Sequence, residues 1–129
     1  MKYLGIDYGA KRVGIAVSDA EGKIAFPRTT LPNDEKLFPQ VMNVIEEEKI
    51  GTIVVGDTRS HGGRDNPVTA EADGFVAALQ VAITVPVERG WEMWSSIEAS
   101  RYAPGQKGHD DASAAAIILQ RFLDTKGTK

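Results

Sequence analysis

Residues 4–19 read "LGIDYGAKRVGIAVSD". Two apolar runs flank a turn that carries Gly9, Lys11 and Arg12, the pattern of two strands folded against each other, over 2–7 and 12–19. With a period of two, Tyr3, Gly5 and Asp7 share one face of the first strand while Leu4 and Ile6 take the other. Val13, Ile15 and Val17 alternate in the same way with Gly14 and Ala16. Asp7 therefore closes a hydrophobic strand just before a tight turn. Two roles are open to it: a turn cap that accepts nearby N–H groups, or an acid presented to a ligand at the mouth of a sheet.

The chain downstream extends this hairpin. "KIAFPRTTL" (23–31) predicts a third strand, with Pro27 favouring an edge position or an interruption. Leu37, Val41, Val44 and Ile45 recur at helical spacing, with Pro39 in the first turn and Gly51 just past the end. "GTIVVGD" (51–57) is apolar almost throughout, as a strand buried on both faces should be. "TRSHGGRDNP" reads as a loop, "VTAEADGFVAALQ" (68–80) as a helix despite Gly74, and "AITVPVE" (82–88) as a fifth strand. A short helix over "WSSIEASRY", a loop "APGQKGH" and a last helix "DASAAAIILQRFLD" complete the order. A meander followed by strand–helix alternation predicts an α/β fold with a mixed sheet and helices on both faces. One domain is expected over 1–124, with a frayed tail at 125–129.

Composition narrows the function classes. At 129 residues, 42% hydrophobic and 26% charged, the chain has the balance of a globular domain with a real core. With no cysteine, disulfides and thiolate metal sites are excluded. No apolar run reaches the length of about 18 residues that spans a bilayer, and Lys2 precedes no long apolar segment of signal-peptide type. The expectation is a cytoplasmic protein without a membrane partner. A net charge of −3 lacks the overall basic footprint of a tight non-specific nucleic-acid binder, although a local basic patch is compatible with it.

Two further acids stand at element ends. If the last helix begins near Asp110, then Asp111, Ala115, Ile118 and Phe122 form one stripe, which puts Asp111 on the core-facing side of the first turn. Either Asp110 or Asp111 also serves as an N-cap, and adjacent helical residues face differently, so the pair allows both roles. Glu88 or Glu92, after the fifth strand, supplies a third acid. Three such acids converging at one end of the sheet would suit Mg²⁺ or Mn²⁺. His61 and His109 are isolated in glycine-rich loops without zinc spacing, Ser95 and Ser96 have no histidine nearby, and no Walker-type loop occurs. Trp91 and Trp94, flanking Glu92, read first as packing residues.

Taken together, "GIDYGAKRVGIAVSD", "IVVGD", "VPVERGWEMWSSIEAS" and "DASAAAIILQRFLD" resemble the YqgF family. These are RuvC-like proteins of the ribonuclease H superfamily, described as Holliday junction resolvases or pre-16S rRNA nucleases. The resemblance runs from Lys2 to Asp124. It implies a ribonuclease H-like, five-stranded mixed sheet flanked by helices, and three metal-binding catalytic acids that fall on Asp7, Glu92 and Asp111. Around Glu92 the sequence departs from the family, with Trp91 in place of an aspartate and Met93 in place of an arginine. Gly56-Asp57-Thr58 stands where the family has Gly-Leu-Pro.

The leading expectation is a nuclease that uses Mg²⁺ or Mn²⁺ to hydrolyse phosphodiester bonds in structured RNA or branched DNA, as a monomer or homodimer. Lys11, Arg12, Arg59, Arg64 and Lys107 fall in turns near the proposed site and are the expected backbone-phosphate contacts, although each also reads as an ordinary surface charge. A non-catalytic RNA-binding or ribosome-assembly factor is the alternative, motivated by the altered middle motif and acidic charge. A nucleotide phosphotransferase is a third reading, because the opening also resembles the first phosphate motif of actin-like ATPases and sugar kinases. Those proteins need a second lobe for which 129 residues leave no room.

Overall fold

The structure, a computed structural model, describes residues 1–9, 11–56, 67–90 and 111–127, and of 67–69, 89, 90, 111, 126 and 127 only the backbone. Its strands are β1 (Lys2–Tyr8), β2 (Arg12–Ser18), β3 (Ala25–Pro32), β4 (Ile50–Gly56) and β5 (Val87–Gly90). Its helices are α1 (Leu37–Glu48), α2 (Pro67–Ala82) and α3 (Asp111–Gly127). The five strands form one mixed sheet in the order β3-β2-β1-β4-β5. The first three are antiparallel neighbours, and β4 and β5 run parallel to β1. The expected α/β class and five-stranded mixed sheet are thus present, with β1 at the centre and the proline-bearing β3 at an edge. Pro27 and a register shift opposite Ile15 and Ala16 interrupt that edge, which blunts it against further strand pairing.

The alternation read in β1 sorts its side chains between two cores. Leu4 and Ile6 join Val13, Ile15, Ile53 and Val55 beneath α1 and α2. α1 buries Leu37, Val41, Val44 and Ile45, the four residues of its predicted stripe. On the opposite face Tyr3, Ala16 and Val54 pack with Ala115, Ile118, Leu119 and Leu123 of α3. Gly5 lets α3 come close: a Cβ there would lie 2.8 Å from the Leu119 Cβ and 3.0 Å from the Ala115 carbonyl oxygen. The alanine-rich start of α3 provides the other half of this close approach.

Several boundaries differ from the sequence reading. The fifth strand begins at Val87, not Ala82, because α2 runs on to Ala82. Pro86 has no N–H for a ladder; its carbonyl accepts from Ile53 N at 2.9 Å instead, and Ile83 and Val85 pack as a connection against the core. β4 begins at Ile50, one residue before the expected Gly51, and Lys49 makes the left-handed turn (φ 54°) that ends α1. α3 continues past Asp124 to Gly127, so residues 125–127 prolong the helix where a frayed tail was expected. Most of the loop 58–67, the helix expected at 94–102 and the loop expected at 103–109 lie outside the described residues, as do Trp91, Trp94, Ser95, Ser96, His61, His109 and Asp110.

Candidate functional site

Asp7 occupies the next-to-last position of the central strand, where it pairs with Gly14 of β2, which in turn pairs with Thr30 of β3. Directly opposed residues share a face, so Asp7, Gly14 and Thr30 form one row on the α3 side of the sheet. Gly14 contributes no side chain between its neighbours, and Asp7 and Thr30 are both half-buried. Two strand spacings separate their Cα atoms, about 10 Å.

The last helix begins at the same row. It runs back along the sheet, with Phe122 against the Tyr3 ring at a centroid distance of 6.1 Å and Ala115 and Leu119 over Gly5. From Ala115 to Asp111 is about 6 Å of helix rise, close to the roughly 7 Å that separates Gly5 from Asp7 along the strand. The backbone of Asp111 is thereby carried toward the level of Asp7. A hydrogen bond fixes this end: Ala112 N donates to the Thr30 hydroxyl oxygen at 3.2 Å.

β5 approaches from the other side. Glu88 pairs with Val54, which pairs with Gly5, so Glu88 stands on the α3 face two strands from β1, one step short of the row of Asp7. Its side chain is exposed, and its Cα is about 12 Å from that of Asp7 by strand geometry. The strand ends at Gly90, at the same sheet end as Asp7, two residues before Glu92. Glu92, Arg59, Arg64 and Lys107 lie outside the described residues, and of Asp111 only the backbone is described.

The turn after Asp7 is braced from a third direction. Lys11 and Arg12 are exposed, and Arg12, two residues before Gly14 on β2, shares the face of Asp7. The Asn33 side-chain amide donates to the Gly9 carbonyl at 2.8 Å, and its backbone N–H donates to the Lys11 carbonyl at 2.9 Å. Neither Thr30 nor Asn33 stood out in the sequence. The one available signal was local: a threonine in a strand, and an asparagine among turn formers.

Chemically, a set of carboxylates without cysteine or histidine fits a hard, oxygen-seeking divalent cation. Asp7 would supply oxygen donors from a rigid strand and Asp111 from the start of a helix locked to that strand's row. The end of the sheet where β1, β4 and β5 all terminate is also where open α/β sheets generally bind ligands.

Comparison with known proteins agrees with this architecture. A protein from Nitratidesulfovibrio vulgaris, provisionally named pre-16S rRNA nuclease, is 42% identical over 96% of this chain and 94% of its own length. One of the same name from Oleidesulfovibrio alaskensis is 43% identical over 96% of this chain and 92% of its own. Among solved structures, T. thermophilus RuvC in complex with a Holliday junction substrate superposes with a TM-score of 0.67 at 19% identity, covering 99% of this chain and 97% of that one. At that identity the likeness is one of fold. Residues 1–125 match the family RuvX, Holliday junction resolvase. The chain belongs to the RuvX family, with the RuvC-like fold that its opening hairpin and closing helix foretold.

Proposed function

We propose that this protein is a cytoplasmic, divalent-metal-dependent nuclease that hydrolyses phosphodiester bonds in structured nucleic acid, with Asp7, Glu92 and Asp111 as its metal-binding catalytic acids. The carrying observation is that Asp7 stands next to last on the central strand, on the face covered by α3, whose first turn is hydrogen-bonded into the row of Asp7. Two carboxylate-bearing residues from opposite ends of the chain are brought to one end of the sheet. β5 ends at Gly90 at that same sheet end, and Glu92 comes two residues later in the sequence.

When bound, Mg²⁺ or Mn²⁺ would supply Lewis acidity toward phosphate oxygens and lower the pKa of water. The carboxylates of Asp7, Glu92 and Asp111 would hold that cation. Lys11 and Arg12, in the turn after Asp7, contact backbone phosphates, and Arg59, Arg64 and Lys107 are the further candidate contacts. Such contacts position a substrate without reading its sequence.

Relatives at about two-fifths identity over nearly the whole chain carry a pre-16S rRNA nuclease name, which favours an RNA precursor as substrate. The family description names a four-way DNA junction, so both belong in the assay. Purified protein is incubated with each substrate with Mg²⁺, with Mn²⁺ or with EDTA. Metal-dependent cleavage that Asp7→Asn abolishes without altering the far-UV CD spectrum is the expected result. Equal cleavage by Asp7→Asn would sink the reading. Tight RNA binding with no cleavage in any metal would replace it with the assembly-factor alternative. Solution mass bears on the substrate as well, since paired incisions at a junction call for a dimer and a single RNA cut needs only a monomer.

A further inference from the structure

We propose that Thr30 is a positioning residue for the metal site: its hydroxyl caps α3 from a neighbouring strand and so sets where Asp111 stands relative to Asp7. The inference rests on the metal-site reading above and deepens it.

The first N–H groups of a helix have no partner within it. Ala112 is the second residue of α3 and is only 5% exposed, so water is a poor substitute for a missing acceptor. The acceptor present is the Thr30 hydroxyl, 3.2 Å away and 82 residues earlier in the chain. Thr30 does here what a local cap ordinarily does, with one difference. A local cap satisfies the helix without saying where the helix lies on the sheet, whereas Thr30 belongs to the row Asp7–Gly14–Thr30. The hydrogen bond therefore ties the height of the helix start to the height of Asp7.

A second tie holds the helix farther along. The Gln120 carbonyl oxygen accepts from Ala25 N at 2.8 Å, and its amide donates to the Lys23 carbonyl at 3.0 Å. Both ties reach the β3 side of the sheet, but only Thr30 lies in the row of Asp7. Metal–ligand distances fall within about 0.2 Å of their ideal values, so a helix start released from Thr30 loses affinity even when the helix remains folded. Groups that orient metal ligands are commonly worth about 10- to 100-fold in metal affinity.

The experiment titrates Mn²⁺ alone into the full chain by calorimetry, for the wild type and for Thr30→Val, Thr30→Ser, Gln120→Leu and Asp7→Asn, and follows amide exchange at Ala112. Thr30→Val should weaken Mn²⁺ binding about tenfold and speed exchange at Ala112. Thr30→Ser, which keeps the hydroxyl, should restore both, and Gln120→Leu should lower the melting temperature while leaving Mn²⁺ affinity unchanged. Unchanged affinity in Thr30→Val overturns the inference, as does equal weakening in Gln120→Leu, which would reduce Thr30 to general stability. If Thr30→Val does not fold, Thr30→Ala, which also removes the acceptor, decides against Gln120→Leu in the same way. Failure of the wild type to bind Mn²⁺ fells the metal reading itself, and this proposal with it. Wild-type binding that only Asp7→Asn removes leaves that reading standing and fells this proposal alone.

Discussion

Gly5 lies directly beneath Leu119: a Cβ at position 5 would stand 2.8 Å from the Leu119 Cβ and 3.0 Å from the backbone oxygen of Ala115. Neither atom is the far end of a flexible side chain, so the helix itself would have to move. Gly5→Ala should cost about 1–3 kcal/mol, the usual range for overpacking. Gly56→Ala is the matched control, because its Cβ would meet the Ile118 Cδ1 at 2.7 Å, a terminal methyl that can rotate aside. Urea denaturation of the two variants should show Gly5→Ala as clearly the less stable. Equal losses would mean that α3 is free to ride up from the sheet.

Asn33 should matter to the turn that follows Asp7. Asn33→Ala removes the side-chain bond to the Gly9 carbonyl but leaves the backbone bond to Lys11. A loss of about 1 kcal/mol is expected for one such bond, together with faster exchange of the Asn33 amide. An unchanged exchange rate would show that the turn holds its shape without the side chain.

Arg12 opens β2 beside Asp7 and is exposed. In its proposed role as a phosphate contact it would contribute to affinity without regard to sequence. Arg12→Ala should weaken binding of structured RNA and of junction DNA alike, and should lower the slope of log affinity against log salt by about 1. A substitution that weakens one substrate alone, with the slope unchanged, would argue for direct readout instead.

Acid sensitivity should centre on Glu48. Lys2 Nζ donates to Glu48 Oε1 at 2.7 Å and Arg28 Nε to Oε2 at 3.0 Å. The bond from Lys2, with that from Arg28 behind it, holds the carboxyl below its ordinary value despite an opposing effect of burial. A carboxylate depressed in the folded state stabilises the protein fully above its unfolded pKa, about 4.3 for glutamate. That contribution is lost as pH falls through the lower folded value. Glu48→Gln should therefore reduce stability near neutral pH by about 1 kcal/mol or less, given the partial exposure of the pairs. The gap between wild type and variant should close below about pH 4. A gap that does not narrow as pH falls below the unfolded value would assign the effect to packing.

Much of this was legible in the sequence. Alternation in 2–7 sorted Tyr3, Gly5 and Asp7 from Leu4 and Ile6, and the structure puts Leu4 and Ile6 in one core and Tyr3 in the other, with Gly5 beneath α3 on the Tyr3 face. The stripe Leu37, Val41, Val44 and Ile45 is buried as read. Boundaries failed where a local signal had two meanings. Ile83 and Val85 looked like strand residues because they are apolar and β-branched, but Pro86 cannot donate to a ladder and β5 begins at Val87. On α3 the covered stripe is Ala112, Ala115, Ile118, Leu119 and Leu123, with Phe122 at its margin against Tyr3.

Sequence alone determined which residues face which side, because side-chain direction follows from periods of 2.0 and 3.6 that are local properties of the backbone. It also identified the family, through motifs in order along nearly the whole chain. Only the tertiary structure decided that Asp7, Gly14 and Thr30 share one row, that Asn33 braces the turn beside it, and that Ala112 bonds to a threonine 82 residues away. Strand register and the seating of a helix on a sheet are set by contacts between distant segments, and no periodicity within one segment encodes them.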